Sequence, residues 1–109
     1  MSKTTLYRPV NSVELELIEK SDWRSFPPRL KFQPFFYPVS NIEYAKEINK
    51  WNIAKYGAGF ILEFDIDSDY LDQFEVHNVG GAIHNEYWIP ANRLKEFNSN
   101  IIGKIKIIK

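Results

Sequence analysis

Two charged residues stand where a charge is out of character with its neighbours. Glu86 opens the apolar run Glu86-Tyr87-Trp88-Ile89 just after a Gly80-Gly81 break, and a carboxylate at a strand end projects into whatever cleft lies there. Arg8 closes the apolar run Leu6-Tyr7-Arg8 and is followed by Pro9, which stops a strand ladder. A guanidinium in that place can clamp a phosphate or carboxylate with two parallel hydrogen bonds. The alternative for both is a surface ion pair, which contributes little.

Other constellations are weaker. Asp65-x-Asp67-x-Asp69 begins like a calcium loop, but Tyr70 stands where the loop needs Gly and Val76 where it needs a bidentate Glu. Those aspartates read instead as a strand end and a helix cap. His77 and His84, the two histidines, flank Gly80-Gly81 and could share a site. Without a third ligand they make no zinc motif, and the sequence predicts no metal. There is no Gly-x-Ser-x-Gly nucleophile turn and no glycine-rich phosphate loop.

The elements that must hold these residues follow from periodicity. Thr4 to Val10 reads as a first strand. Asn11 caps a helix, with Glu14 as reciprocal capping partner and the Glu16/Lys20 spacing in support. Pro27-Pro28 marks Ser25 to Gln33 as loop, and Phe35 to Val39 reads as a short strand. Ser40-Asn41-Ile42-Glu43 is a second capping box, opening a helix that presents Tyr44, Ile48 and Trp51 and ends before Gly57-Ala58-Gly59. Phe60, Leu62, Phe64 and Ile66 alternate with Ile61, Glu63 and Asp65, the pattern of a central strand. Asp67 or Ser68 caps a short helix burying Leu71 and Phe74. Glu75 to Val79 and Asn85 to Ile89 are extended, Pro90 starts a helix, and Ile101 to Ile108 closes as a strand. The order β-α-β-α-β-α-β-β-α-β predicts one small α+β domain with a mainly antiparallel or mixed sheet and short helices.

Bulk composition narrows the classes of function. The chain has 109 residues, 44% hydrophobic and 16% aromatic, which suits one ordinary core. Fourteen basic residues balance fourteen acidic ones, which argues against a nucleic-acid partner held through phosphates. The one basic run, Lys104, Lys106 and Lys109, alternates with isoleucines like the wet face of an edge strand. The absence of cysteine removes disulfides and thiolate sites and suits a reducing compartment. With no apolar leader at the N-terminus and no run long enough to span a bilayer, the expectation is a cytoplasmic protein with no membrane partner.

Three motifs, in order, carry a family resemblance. Thr5-Leu6-Tyr7-Arg8 followed by a helix resembles the opening strand of the arginine-type ADP-ribosyltransferases, where an Arg helps hold NAD. Phe36-Tyr37-Pro38-Val39-Ser40, running into Tyr44-Ala45, resembles the second-strand motif of that fold, which ends beside the nicotinamide. Asn85-Glu86-Tyr87-Trp88-Ile89 resembles the Asn-Glu-Tyr motif of the poly(ADP-ribose) polymerases, which contains their catalytic Glu. The whole chain is also similar to small bacterial proteins labelled "ADP-ribosylation/crystallin J1".

The resemblance implies an ADP-ribosyltransferase-like domain that uses NAD as substrate. Arg8 would hold the pyrophosphate, and Tyr37, Ser40, Tyr44 and Trp88 would shape the nicotinamide pocket. Glu86 would stabilise the transition state as ADP-ribose passes to a macromolecule, a nucleoside or water. His84 stands two residues before Glu86, where enzymes that modify protein side chains place Glu or Gln, so the acceptor is undefined. The alternatives are a non-catalytic module that binds an ADP-ribose-type ligand, and a protein-interaction domain using Trp23 and Trp51.

Overall fold

The computed structural model describes residues 2–78 and 80–109, and the far end of the predicted Glu75 to Val79 strand lies outside them. Strand β1 (Lys3–Val10) leads through Asn11 into helix α1 (Ser12–Lys20), and a long loop follows to β2 (Phe35–Phe36). Helix α2 (Ile42–Tyr56), strand β3 (Phe60–Asp67), helix α3 (Ser68–Leu71), and strands β4 (Glu75–Asn78) and β5 (Asn85–Pro90) come next. A 3-10 turn (Ala91–Arg93), helix α4 (Leu94–Ser99) and β6 (Ile101–Ile107) complete the chain. The fold is α+β, and its strands form two three-stranded antiparallel sheets, β1-β3-β6 and β2-β5-β4.

Most elements start and stop where local chemistry dictates, but Pro9 does not stop the first ladder: β1 stays paired through Pro9 and Val10, opposite Ile61 and Phe60. The Asn11 side chain accepts from the Glu14 amide, closing the first turn of α1. The reciprocal half of that capping box does not form, because the Glu14 carboxylate is drawn to Arg8 instead. Helix α2 is capped one residue later than its sequence suggests: Asn41, not Ser40, accepts from the amides of Glu43 and Tyr44. Gly57, in the left-handed conformation at φ 80°, ends it. Trp51 is exposed, as the protein-interaction alternative expects of it. At 78% exposure it lies on the outer face of α2, whose inner face is Tyr44, Ala45, Ile48 and Asn49.

Strand β3 is central, buried along one face and at Ile61 on the other, where Glu63, Asp65 and Asp67 stay partly exposed. Leu62, Phe64 and Ile66 face the main core with Leu6, Phe26, Phe36 and Phe97. Ile61 faces a smaller cluster with Val39 and Ala45, roofed by Tyr7, Tyr44 and Ile48. β6 lies at the sheet edge, with Ile105 buried and Lys104 and Lys106 in water. Trp23 packs against the main core, so it is not the exposed aromatic expected of a docking residue.

A close approach of α2 to the next loop pins the start of β3. A Cβ added at Gly59 would lie 2.4 Å from Asn49 Oδ1 and 3.0 Å from Asn52 Cβ. Asn49 is itself buried, and its Oδ1 has no hydrogen-bond partner among the described residues, so the amide has little room to retreat. Gly59→Ala is therefore expected to lower stability by about 1–3 kcal/mol, the usual range for overpacking. Urea denaturation checks this, and the Asn49→Ala/Gly59→Ala double variant should recover part of the loss.

Candidate functional site

The two sheets meet at one residue. Val39 bridges antiparallel to Tyr7 of β1 and to Glu86 of β5. Its backbone exchanges hydrogen bonds of 2.8 and 3.0 Å with Tyr7, while the Pro38 carbonyl accepts from the Tyr87 amide at 2.9 Å. Register then lays out a row across both sheets: Lys106, Glu63, Tyr7, Val39, Glu86 and His77 stand opposite one another in turn. Residues directly opposite share a face, so these side chains lie on the side covered by α2.

On that face the Glu86 carboxylate is held by two donors. Tyr44 donates its hydroxyl to Oε2 at 2.7 Å, and Trp88 donates its indole N–H to Oε1 at 3.3 Å. Glu86, Tyr44 and Trp88 are all half-buried. Each carboxylate oxygen keeps an unused lone pair, so the group can still accept from a ligand.

Aromatic rings enclose it. Trp88 stacks on His77 with centroids 4.0 Å apart, and meets Tyr37 edge-on at 5.5 Å and Phe35 at 5.2 Å. On the other side the His84 ring lies 4.7 Å from that of Tyr44, and His84 Nε2 is 2.8 Å from a Glu47 carboxylate oxygen. Gly81 makes room for that ring: a Cβ there would sit 2.6 Å from His84 Nδ1.

Burial, and then the nearby Glu86 carboxylate, push the Tyr44 hydroxyl up from 10.0 to about 12. The folded chain therefore keeps a proton on Tyr44 that the unfolded chain releases near pH 10, so the folded state binds more protons in this window. Stability is expected to fall between about pH 10 and 12, and Tyr44→Phe should flatten part of that fall. Midpoints in urea measured across this range check it.

The sequence-derived candidates divide. Glu86, Tyr44, Trp88 and Tyr37 come together, and Ser40 is exposed on the turn beside them. Arg8 does not join them. It follows Tyr7, and successive strand residues alternate faces, so its side chain lies on the opposite side of the sheet. There Nε and Nη2 bind both Glu14 carboxylate oxygens at 2.9 and 3.0 Å, and the guanidinium sits 4.8 Å from the centre of the Phe36 ring. Only 13% of the Arg8 side chain is exposed, so this is a partly buried pair and not the surface pair its sequence context allowed.

Comparisons with protein-family models, curated proteins and solved structures found no match. The reading of the site thus rests on its own geometry.

His77 and His84 are separate members of this face, each beside a different carboxylate, Glu75 and Glu47. No group of three His, Cys, Asp or Glu side chains among the described residues is placed to hold a metal ion. No helix among them is long and apolar enough to cross a membrane. What the sequence left open was the parity of β1, which decides whether Tyr7 or Arg8 faces Val39 and Glu86.

Proposed function

We propose that this protein binds NAD or a related ADP-ribose ligand at the Glu86 cluster and transfers ADP-ribose with release of nicotinamide. The observation that carries the reading is a half-buried carboxylate, oriented by Tyr44 and Trp88, within a wall of aromatic rings. A flat nicotinamide ring stacks on Trp88 or Tyr37. Glu86 accepts from the ribose 2′-hydroxyl and opposes the positive charge that develops on the sugar. The bond from ribose C1′ to the nicotinamide nitrogen breaks, and its electron pair leaves with the ring. An acceptor oxygen or nitrogen bonds to C1′ and loses its proton. The acceptor is a macromolecule, a nucleoside or water.

Arg8, chelated by Glu14 on the opposite face, takes no part in this reading. Its engagement favours a second reading, in which the same cluster binds the nucleotide without turnover. Nicotinamide release separates the two.

The direct test is the thermal midpoint with and without NAD. Ligand at about 100 times its dissociation constant adds about 2.7 kcal/mol, a rise on the order of 10 °C for a domain of this size. Trp88→Ala should erase the shift, whereas Arg8→Met should keep it despite a lower starting midpoint. An unaltered protein that shows no shift at millimolar NAD overturns both readings.

A further inference from the structure

We propose that the groove between the 27–33 loop and the β1–α1 corner binds a small monocarboxylic acid with an apolar body, its carboxylate taken by Arg29. The site lies around the Arg8–Glu14 pair, and its walls include none of Glu86, Tyr44, Trp88 and Tyr37.

Two adjoining cavities, of about 210 and 220 Å3, share Asn11, Glu14, Arg29, Gln33 and Tyr56 in their walls. Arg8 lines the second of them, but its Nε and Nη2 are committed to Glu14 and its plane is packed on Phe36. Arg29 is different. It donates Nε to the Phe35 carbonyl at 3.0 Å, and its two terminal nitrogens donate no hydrogen bond among the described residues. These are the paired donors that a carboxylate meets with both oxygens.

The charge balance asks for an anion. Two guanidiniums and one carboxylate line the groove, which leaves one positive charge uncompensated in a partly dry place. Burial first, and then the neighbouring Arg8 charge, lower the Arg29 pKa, which is the cost of holding the second cation there. A single negative charge neutralises the set, whereas a phosphate dianion overshoots it.

The walls specify the rest of the ligand. Val13, Leu17, Leu30 and Tyr56 line the first cavity and are 45–69% exposed, an unusual density of apolar side chains in water. The loop wall is preformed: Pro27-Pro28 stiffens it, the Leu30 amide donates to the Gln33 side chain at 3.0 Å, and the Gln33 amide donates to the Leu30 carbonyl at 2.8 Å. A carboxylate head seated on Arg29 therefore directs an aliphatic or aromatic body along this rim.

Calorimetric titration of the full chain with sodium octanoate, octanamide and inorganic phosphate tests this. Octanoate is expected to bind at one site, with octanamide and phosphate each at least about tenfold weaker. Arg29→Gln should weaken octanoate by at least about tenfold, and Leu30→Ser should weaken it while the fold is kept. No octanoate binding at millimolar concentration overturns the proposal, as does octanamide binding equally well or Arg29→Gln binding like the unaltered protein. If Arg29→Gln fails to fold, the octanoate–octanamide difference and the Leu30→Ser variant decide it.

Discussion

Glu86→Gln is expected to lower the rate of nicotinamide release by about a thousandfold while moving the thermal midpoint by no more than a few degrees. The substitution keeps the shape of the side chain and one acceptor oxygen, so Trp88 N–H or Tyr44 O–H retains a partner. Tyr44 can also turn its hydroxyl to accept from the new amide. What disappears is the negative charge, and that is the property a cationic sugar needs in the transition state. Chromatographic measurement of free nicotinamide from NAD, set beside the urea midpoint of each protein, separates chemistry from folding. Turnover within tenfold of the unaltered protein removes Glu86 from the catalytic role. An NAD-induced thermal shift without nicotinamide release, in the unaltered protein, assigns the cluster to binding alone.

The largest loss of stability is expected from Phe97→Ala. Phe97 of α4 is fully buried, with ring centroids 5.6 Å from Phe36 of β2 and 6.0 Å from Phe64 of β3. Tyr70 and Phe74 close it in at 6.3 and 6.5 Å. It therefore fills the space between the sheets, where neither side can collapse without disturbing the other. Truncation to Ala should cost about 3–5 kcal/mol, a large fraction of the 5–15 kcal/mol that holds a typical domain together. The urea transition of Phe97→Ala, compared with Phe97→Leu, measures it. A loss below about 1 kcal/mol for the Ala variant shows that the cavity is filled by rearrangement and that the sheets are not held apart by this ring.

The element order was legible because its signals are local. The alternation of Phe60 to Ile66, the Asn11 cap and the Gly57 stop each act within one turn or strand, and each decided its own boundary. Pro90, expected to start a helix, instead ends β5 opposite Phe35, and α4 begins only at Leu94. Competition between neighbours was harder to read. Ser40 and Asn41 are both good caps, and it is Asn41 whose side chain accepts from the first-turn amides. Glu14 could serve Asn11 or Arg8, and the charged partner wins.

The site was half legible for the same reason. Residue type marked Glu86, Trp88, Tyr37 and Tyr44, but the placement of Arg8 depended on which parity of β1 faced the bridge, a tertiary choice. Arg29 carried no local signal at all. Within a proline-rich loop it reads as a solvated charge, and its setting emerges only when the loop folds over the β1–α1 corner.

The bond from Tyr44 to Glu86 crosses the seam between the two sheets. Tyr44 rides on α2, which packs on β1 and β3, whereas Glu86 belongs to β5. On the proposed reading, a ligand at Glu86 would compete or cooperate with this bond, and so its binding would be linked to the hold of one sheet on the other. A ligand that takes the Glu86 oxygen away from Tyr44 opens a clasp, and one that also reaches Tyr44 replaces it. The first kind loosens the molecule as it binds, and the second draws its halves together.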